Sequence, residues 1–117
     1  MTSPAATSEP RHQSFDAFWP FYLQEHSNPL NRLLHLVGTG GVLSIVLSAL
    51  VLLQPLLLLA APVCGYGFAW FGHFVVQKNR PATFKYPLWS LAGDFKMFFL
   101  AMSGRLGPHL DAAGVAR

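Results

Sequence analysis

Five histidines stand at positions 12, 26, 35, 73 and 109, and three of them are spaced for shared work. His35 and His73 have their arithmetic midpoint at residue 54, inside the Gln54-Pro55 pair. A chain that turns back there as an antiparallel helical hairpin carries both imidazoles at the same depth. His26 lies nine residues before His35, which in an unbroken helix is two and a half turns and puts it on the far side. Asn28-Pro29 interrupts that helix, because asparagine is a favoured N-cap and proline a favoured first helical residue. A helix ending near His26 and a new one starting at Pro29 let the chain fold back and set His26 beside the other two. Three neutral imidazoles with positions left open are the donor set of a catalytic zinc or non-haem iron site. Any one of them alone would read as an interfacial or helix-end histidine; their convergence is what suggests metal.

Polar residues gather around the same three positions. Glu25, Asn28, Asn31 and Arg32 flank the first two histidines, and Lys78, Asn79 and Arg80 follow the third. Such groups at the edge of an apolar segment are costly unless used. Snorkelling cations account for Arg32 and Lys78, and less readily for three asparagines.

The elements that must position these residues follow from composition. With 117 residues, 52% hydrophobic and 11% charged, the chain is one domain and too apolar to stay disordered. The single cysteine, Cys64, excludes a disulfide framework and a cysteine-based zinc ribbon. Eight Lys and Arg are spread thinly, which is not the basic face of a nucleic-acid binder. From Leu33 to Gln77 run 45 residues without one charged side chain. A bilayer core of about 30 Å needs roughly 20 helical residues, so this run can cross twice. The crossings are expected at about 36–53 and 56–76, with Gln54-Pro55 as the break.

The expected fold is therefore all-α: a small integral membrane protein with a central transmembrane helical hairpin flanked by interfacial or short helices. Too little chain remains to bury such a hairpin in a soluble domain. Arg11 and Arg32 precede the hairpin and Lys78, Arg80, Lys85, Lys96, Arg105 and Arg117 follow it, which places both termini on the cytoplasmic side. Residues 1–13 read as a disordered tail, 14–104 as the membrane domain and 105–117 as a loose C-terminal tail. Phe15, Phe18, Trp19 and Tyr22 form one helical stripe suited to the headgroup layer, with Pro20 forcing a kink or a restart. Trp89 to Met102 reads as a third helix, shallow or short. Gly38, Gly40, Gly41, Gly65, Gly67 and Gly72 are expected to be packing contacts between the two crossings.

Two blocks carry a family resemblance: FYLQEHSNPLNRLLHLVGT from Phe21 to Thr39, and GYGFAWFGHFVVQKNRPATFKYPLWSLAGDFKMF from Gly65 to Phe98. The His-x-Asn-Pro-x-Asn block, a second histidine nine residues after the first, and a Gly-His followed by Lys-Asn-Arg-Pro-Ala together resemble the Mpo1-like family of 2-hydroxy fatty acid dioxygenase-like membrane proteins. The resemblance spans roughly residues 15 to 103.

That resemblance implies a protein of the bacterial inner membrane or endoplasmic reticulum. It implies an iron(II)-dependent dioxygenase that shortens 2-hydroxy fatty acids by one carbon, with the bilayer, the lipid substrate and molecular oxygen as partners and no nucleic acid. The family's histidines fall on His26, His35 and His73. Three imidazoles leave three of iron's six positions for a 2-hydroxy acid and oxygen. Arg32 or Arg80 is then expected to pair with the substrate carboxylate. Asn31, Asn79 and Asp94 are expected to orient imidazoles. Two departures stand out. Gln77 occupies a position where the family often has glutamate, and the hydrophobic segments that longer members insert between the two blocks are missing. The alternatives are a zinc-dependent lipid hydrolase using Glu25 as base and a non-catalytic, partner-binding hairpin. The sequence leaves the oligomeric state, homo-oligomer included, open.

Overall fold

The computed structural model describes residues 12–117. Most of the expected disordered tail, residues 1–11, lies outside the described residues. The described residues are helical and contain no strand. Helix α1, Phe15–Gln24, opens on Ser14, whose side chain accepts a hydrogen bond from the Ala17 N–H, and runs through Pro20 without the restart expected there. Helix α2, Pro29–Val51, begins as expected, with Asn28 as N-cap and Pro29 in the first turn.

The hairpin turn is a Schellman closure. Leu53 takes a left-handed conformation at φ 53°, and the Gln54 N–H reaches the Ala49 carbonyl at 3.0 Å, the pairing that satisfies the last orphan carbonyls of a helix. Pro55 follows and cannot continue that helix. The return rod starts with a 3₁₀ turn at Pro55–Leu59, continues as α3, Ala60–Trp70, and widens into a π-helical segment at Phe71–Gln77. After a short 3₁₀ turn at Ala82–Phe84 come α4, Pro87–Met102, and α5, Leu106–Ala112.

Two helical rods, Pro29–Val51 and Pro55–Gln77, are long and apolar enough to cross a membrane. The first begins well before the expected residue 36, because the Asn28 cap and not the loss of charge sets its start. Leucines at 47, 50, 53, 56 and 59 on and around the turn are exposed. Helix α4, at 16 residues, spans only about 24 Å and falls short of a 30 Å hydrocarbon core. The rods approach closely where glycine permits: a Cβ on Gly41 would lie 2.6 Å from Cys64 Sγ, and one on Gly38 3.0 Å from Phe68 Cβ. Gly40 instead faces Phe98 of α4, and Gly67 has nothing within 4 Å, so those two do not serve the hairpin contact.

The main apolar core lies at the other end, among α1, α4 and α5. Phe18, Trp19, Tyr22 and Leu23 are buried against Tyr86, Met97, Leu110 and Val115. This corrects two expectations. The aromatic stripe of α1 is core and does not face a headgroup layer, because α4 and α5 cover it. Residues 105–117 are not loose: Leu110 and Val115 are buried, the Trp19 Nε1–H donates to His109 Nδ1 at 3.0 Å, and Gln24 donates to the Ala113 carbonyl at 3.1 Å. Leu110→Ala should lower stability by about 2–5 kcal/mol, the range for emptying a buried leucine site, as read by chemical denaturation in detergent; an unchanged midpoint would mean that α5 is not docked.

Candidate metal centre

Each histidine reaches the centre through a local break in helical geometry. Helix α1 stops at Gln24, and the His26 N–H closes back on the Leu23 carbonyl at 3.0 Å. The His26 ring stacks on Tyr22, one turn earlier, with centroids 4.1 Å apart. Asn28 then starts α2, whose first two turns carry Asn31 and His35. On the return rod His73 sits inside the π segment, and such widened turns are frequent at functional sites. Lys78 takes a left-handed conformation at φ 60°, which swings the Asn79 N–H back to the His73 carbonyl at 2.9 Å. The same reversal brings Asn79 Oδ1 within 2.7 Å of His73 Nδ1.

Hydrogen-bond accounting fixes the tautomers. His26 Nδ1 lies 2.6 Å from the Tyr22 carbonyl and His35 Nδ1 3.0 Å from the Asn31 carbonyl. A backbone carbonyl only accepts, so both Nδ1 atoms carry the proton. Asn79 donates through Nδ2 to the Glu25 carbonyl at 2.9 Å, which turns its Oδ1 to accept from His73 Nδ1. All three neutral rings therefore present a bare Nε2. These atoms point at one another: His26 Nε2 is 3.0 Å from His35 Nε2 and 3.0 Å from His73 Nε2. Burial, then the neighbouring His35 and His73, push the His26 pKa well below the usual imidazole range, so that ring is neutral. Nitrogens 3.0 Å apart can both touch one ion at the usual metal–nitrogen distance of about 2.0–2.1 Å. The buried triad fits a metal ion.

The triad lines a cavity of about 360 Å³. Thr39, Ser90 and Asp94 add polar groups, and Val42, Ala61 and Trp70 are among the apolar walls. Along the return rod the lining runs from His73 to Leu58, a distance of about 22 Å at helical rise.

A family model described as 2-hydroxy-palmitic acid dioxygenase Mpo1-like matches residues 12–106. The chain belongs to the Mpo1-like family. No curated protein and no solved structure matches it.

In this Mpo1-like chain the other expected site residues fall in distinct places. Asn79 touches the His73 ring directly. Asn31 is fully buried, gives its carbonyl to His35, and donates through Nδ2 to Gln77 Oε1 at 2.8 Å, with His73 Nδ1 at 3.5 Å. Gln77 also accepts from the Asn28 N–H and donates to Ser27 Oγ, so it ties the π segment to the start of α2. Asp94 touches no histidine; it accepts from the Tyr22 hydroxyl. Arg32 is committed elsewhere: Nη1 donates to the His26 and Ser27 carbonyls and Nη2 to the Ala116 carbonyl, at 2.9–3.0 Å. It straps the His26 turn to the C-terminal segment. Arg80 lies over the Phe84 ring at 5.3 Å, outside the cavity. Neither arginine sits where the expected carboxylate pairing requires it. Glu25 is also absent from the lining, which leaves the hydrolase alternative without its base.

The sequence showed Tyr22 only as part of the aromatic stripe and Ser90 not at all. Tyr22 precedes His26 by four residues and Ser90 precedes Asp94 by four, the spacing of one helical face. Burial, then the neighbouring Asp94, raise the Tyr22 pKa well above the phenol range, so Tyr22 stays a donor. Burial pushes the Asp94 carboxyl up to about 6, against the Tyr22 hydrogen bond. Two variants test the support around His73. A Cβ on Gly72 would lie 2.0 Å from Asn31 Oδ1, so Gly72→Ala should displace Asn31 and weaken metal binding. Asn79→Ala should weaken it about 10–100-fold, as loss of a ligand-orienting partner does. Chelator competition on the purified chain measures both, and wild-type affinity in both variants would contradict the arrangement described.

Proposed function

We propose that the chain is a membrane-embedded, iron(II)-dependent oxygenase that shortens 2-hydroxy fatty acids by one carbon. One observation carries the reading: three bare Nε2 atoms converge in the lining of a largely apolar cavity. The family description supplies the substrate class. Iron(II) held by His26, His35 and His73 would supply the binding of oxygen and of the hydroxy-acid head. The protein's own part is to keep three neutral donors aimed at one point, to exclude water, and to hold the chain. The lining on the return rod extends over about 22 Å of helical rise, more than half of a 30 Å hydrocarbon core and so more than the depth of one leaflet. Val42, Leu58 and Trp70 give an acyl chain apolar contacts. Cleavage between C1 and C2 with oxygen as oxidant balances as the shortened acid, carbon dioxide and water.

The hairpin fits the bilayer in this reading, with its exposed leucines facing lipid, since apolar surface on this scale marks a membrane or partner contact. Lys78, Arg80 and Lys85 lie at the histidine end and no Lys or Arg lies at the turn, which favours both chain ends on the cytoplasmic side. The detergent-purified chain should hold one iron per chain and consume oxygen with 2-hydroxypalmitate, giving the acid one carbon shorter by mass spectrometry. His73→Ala should lose both iron and turnover. Zinc occupancy with oxygen-independent lipid hydrolysis would replace this reading, and intact function after joint alanine substitution of His35 and His73 would end it.

A further inference from the structure

Helix α4 brings to the cavity two polar groups that the reading above leaves without a task. Ser90 and Asp94 both line it and stand one turn apart. Ser90 is 3% exposed, and its Oγ has no hydrogen-bond partner. A helical serine ordinarily bonds back to the carbonyl four residues earlier or faces water; here, at the end of the first turn of α4, the Tyr86 carbonyl takes the Ser90 N–H at 2.8 Å, and the hydroxyl does neither. Buried hydroxyls left unpaired are rare and call for a partner. Asp94 uses Oδ1 to accept from the Tyr22 hydroxyl, while Oδ2 makes no hydrogen bond among the described residues. Tyr22 stacks on His26, so this oxygen is held one ring away from the metal donors. Among the described residues, no Lys or Arg lines the cavity. The described lining offers an acid head neutral donors and the triad's ion.

We propose that Ser90 and Asp94 recognise the head of an acyl lipid that carries a hydroxyl beside its acid group. The Ser90 hydroxyl donates to the acid group, and Asp94 Oδ2 accepts from the ligand's hydroxyl. Tyr22 is the positioning residue that holds Asp94 in place. The inference rests on the proposed function and adds the residues that set its selectivity. A site built to bond a hydroxyl rejects the analogue lacking it, because its own polar group is then left unpaired.

The test is equilibrium binding of 2-hydroxypalmitate and palmitate to the iron-loaded full chain in detergent, with oxygen excluded. The unaltered chain should prefer the hydroxy acid. Asp94→Asn keeps an oxygen for Tyr22 and turns the free position into a donor; it should lose about tenfold in affinity for 2-hydroxypalmitate, little for palmitate, and so lose the preference. Ser90→Ala removes a hydroxyl the fold does not use; it should weaken both acids about equally while iron content and melting temperature stay unchanged. Retention of the wild-type preference by Asp94→Asn, or of wild-type affinity by Ser90→Ala, overturns the proposal. Oxygen uptake on 2-hydroxypalmitate by the unaltered chain, together with unaffected variants, overturns this inference alone. Failure of the unaltered chain to bind either acid overturns it together with the function on which it rests.

Discussion

Two backbone carbonyls and one amide oxygen determine what the three histidines can do. Each takes the Nδ1 proton of a ring, and with that proton placed the other nitrogen has only a lone pair to show. Three lone pairs gathered in a buried space repel one another. Positive charge at their centre turns that repulsion into attraction, and in a water-poor interior the effect is large. The centre is thus specified less by the rings than by the oxygens behind them, and those oxygens are placed by backbone geometry.

That dependence explains where the helices bend from regularity. The early stop of α1 leaves the Tyr22 carbonyl free for His26. The first turn of α2 leaves Asn31 and His35 in the ordinary four-residue relation, so a helical carbonyl doubles as an imidazole acceptor. The π segment and the left-handed Lys78 bring Asn79 under His73, at a conformational cost that a non-glycine residue accepts only where surrounding contacts hold it. Gly72 is required beside them because Asn31 occupies the space a methyl group would need. The same two rods that carry His35 and His73 supply more than half of the cavity lining, so the polar centre and the cavity share one scaffold, which α4 completes with Leu91 and Phe95.

The triad, the Asn28-Pro29 start and the Gln54-Pro55 turn were legible in the sequence because each is a local signal: a cap, a proline, a symmetric spacing. The aromatic stripe of α1 was legible as a stripe and misassigned in its environment, since a helical face of Phe, Trp and Tyr looks the same whether lipid headgroups or other helices cover it. Here α5 covers it, and nothing in Leu106–Ala112 marks that short helix as a lid on a core nearly ninety residues away. Arg32 misled for a related reason. Its partners are backbone carbonyls of Ser27, His26 and Ala116, and a sequence does not display which carbonyls a fold leaves unpaired. Tyr22 and Ser90 needed the tertiary contact with α4 before their four-residue spacings acquired meaning.

The strap from Arg32 to Ala116 and the bond from Trp19 to His109 set an order of assembly. Contacts within the hairpin join residues made close together in time, so His35 and His73 can meet early. His26 depends on a first helix whose partners lie 72 and 90 residues further along the chain, and contacts so distant form slowly because a long loop must close before they reward it. The third imidazole is thus tied to the slowest class of contact, and its place in the nest of nitrogens is shored up by α5 and the Arg32 strap.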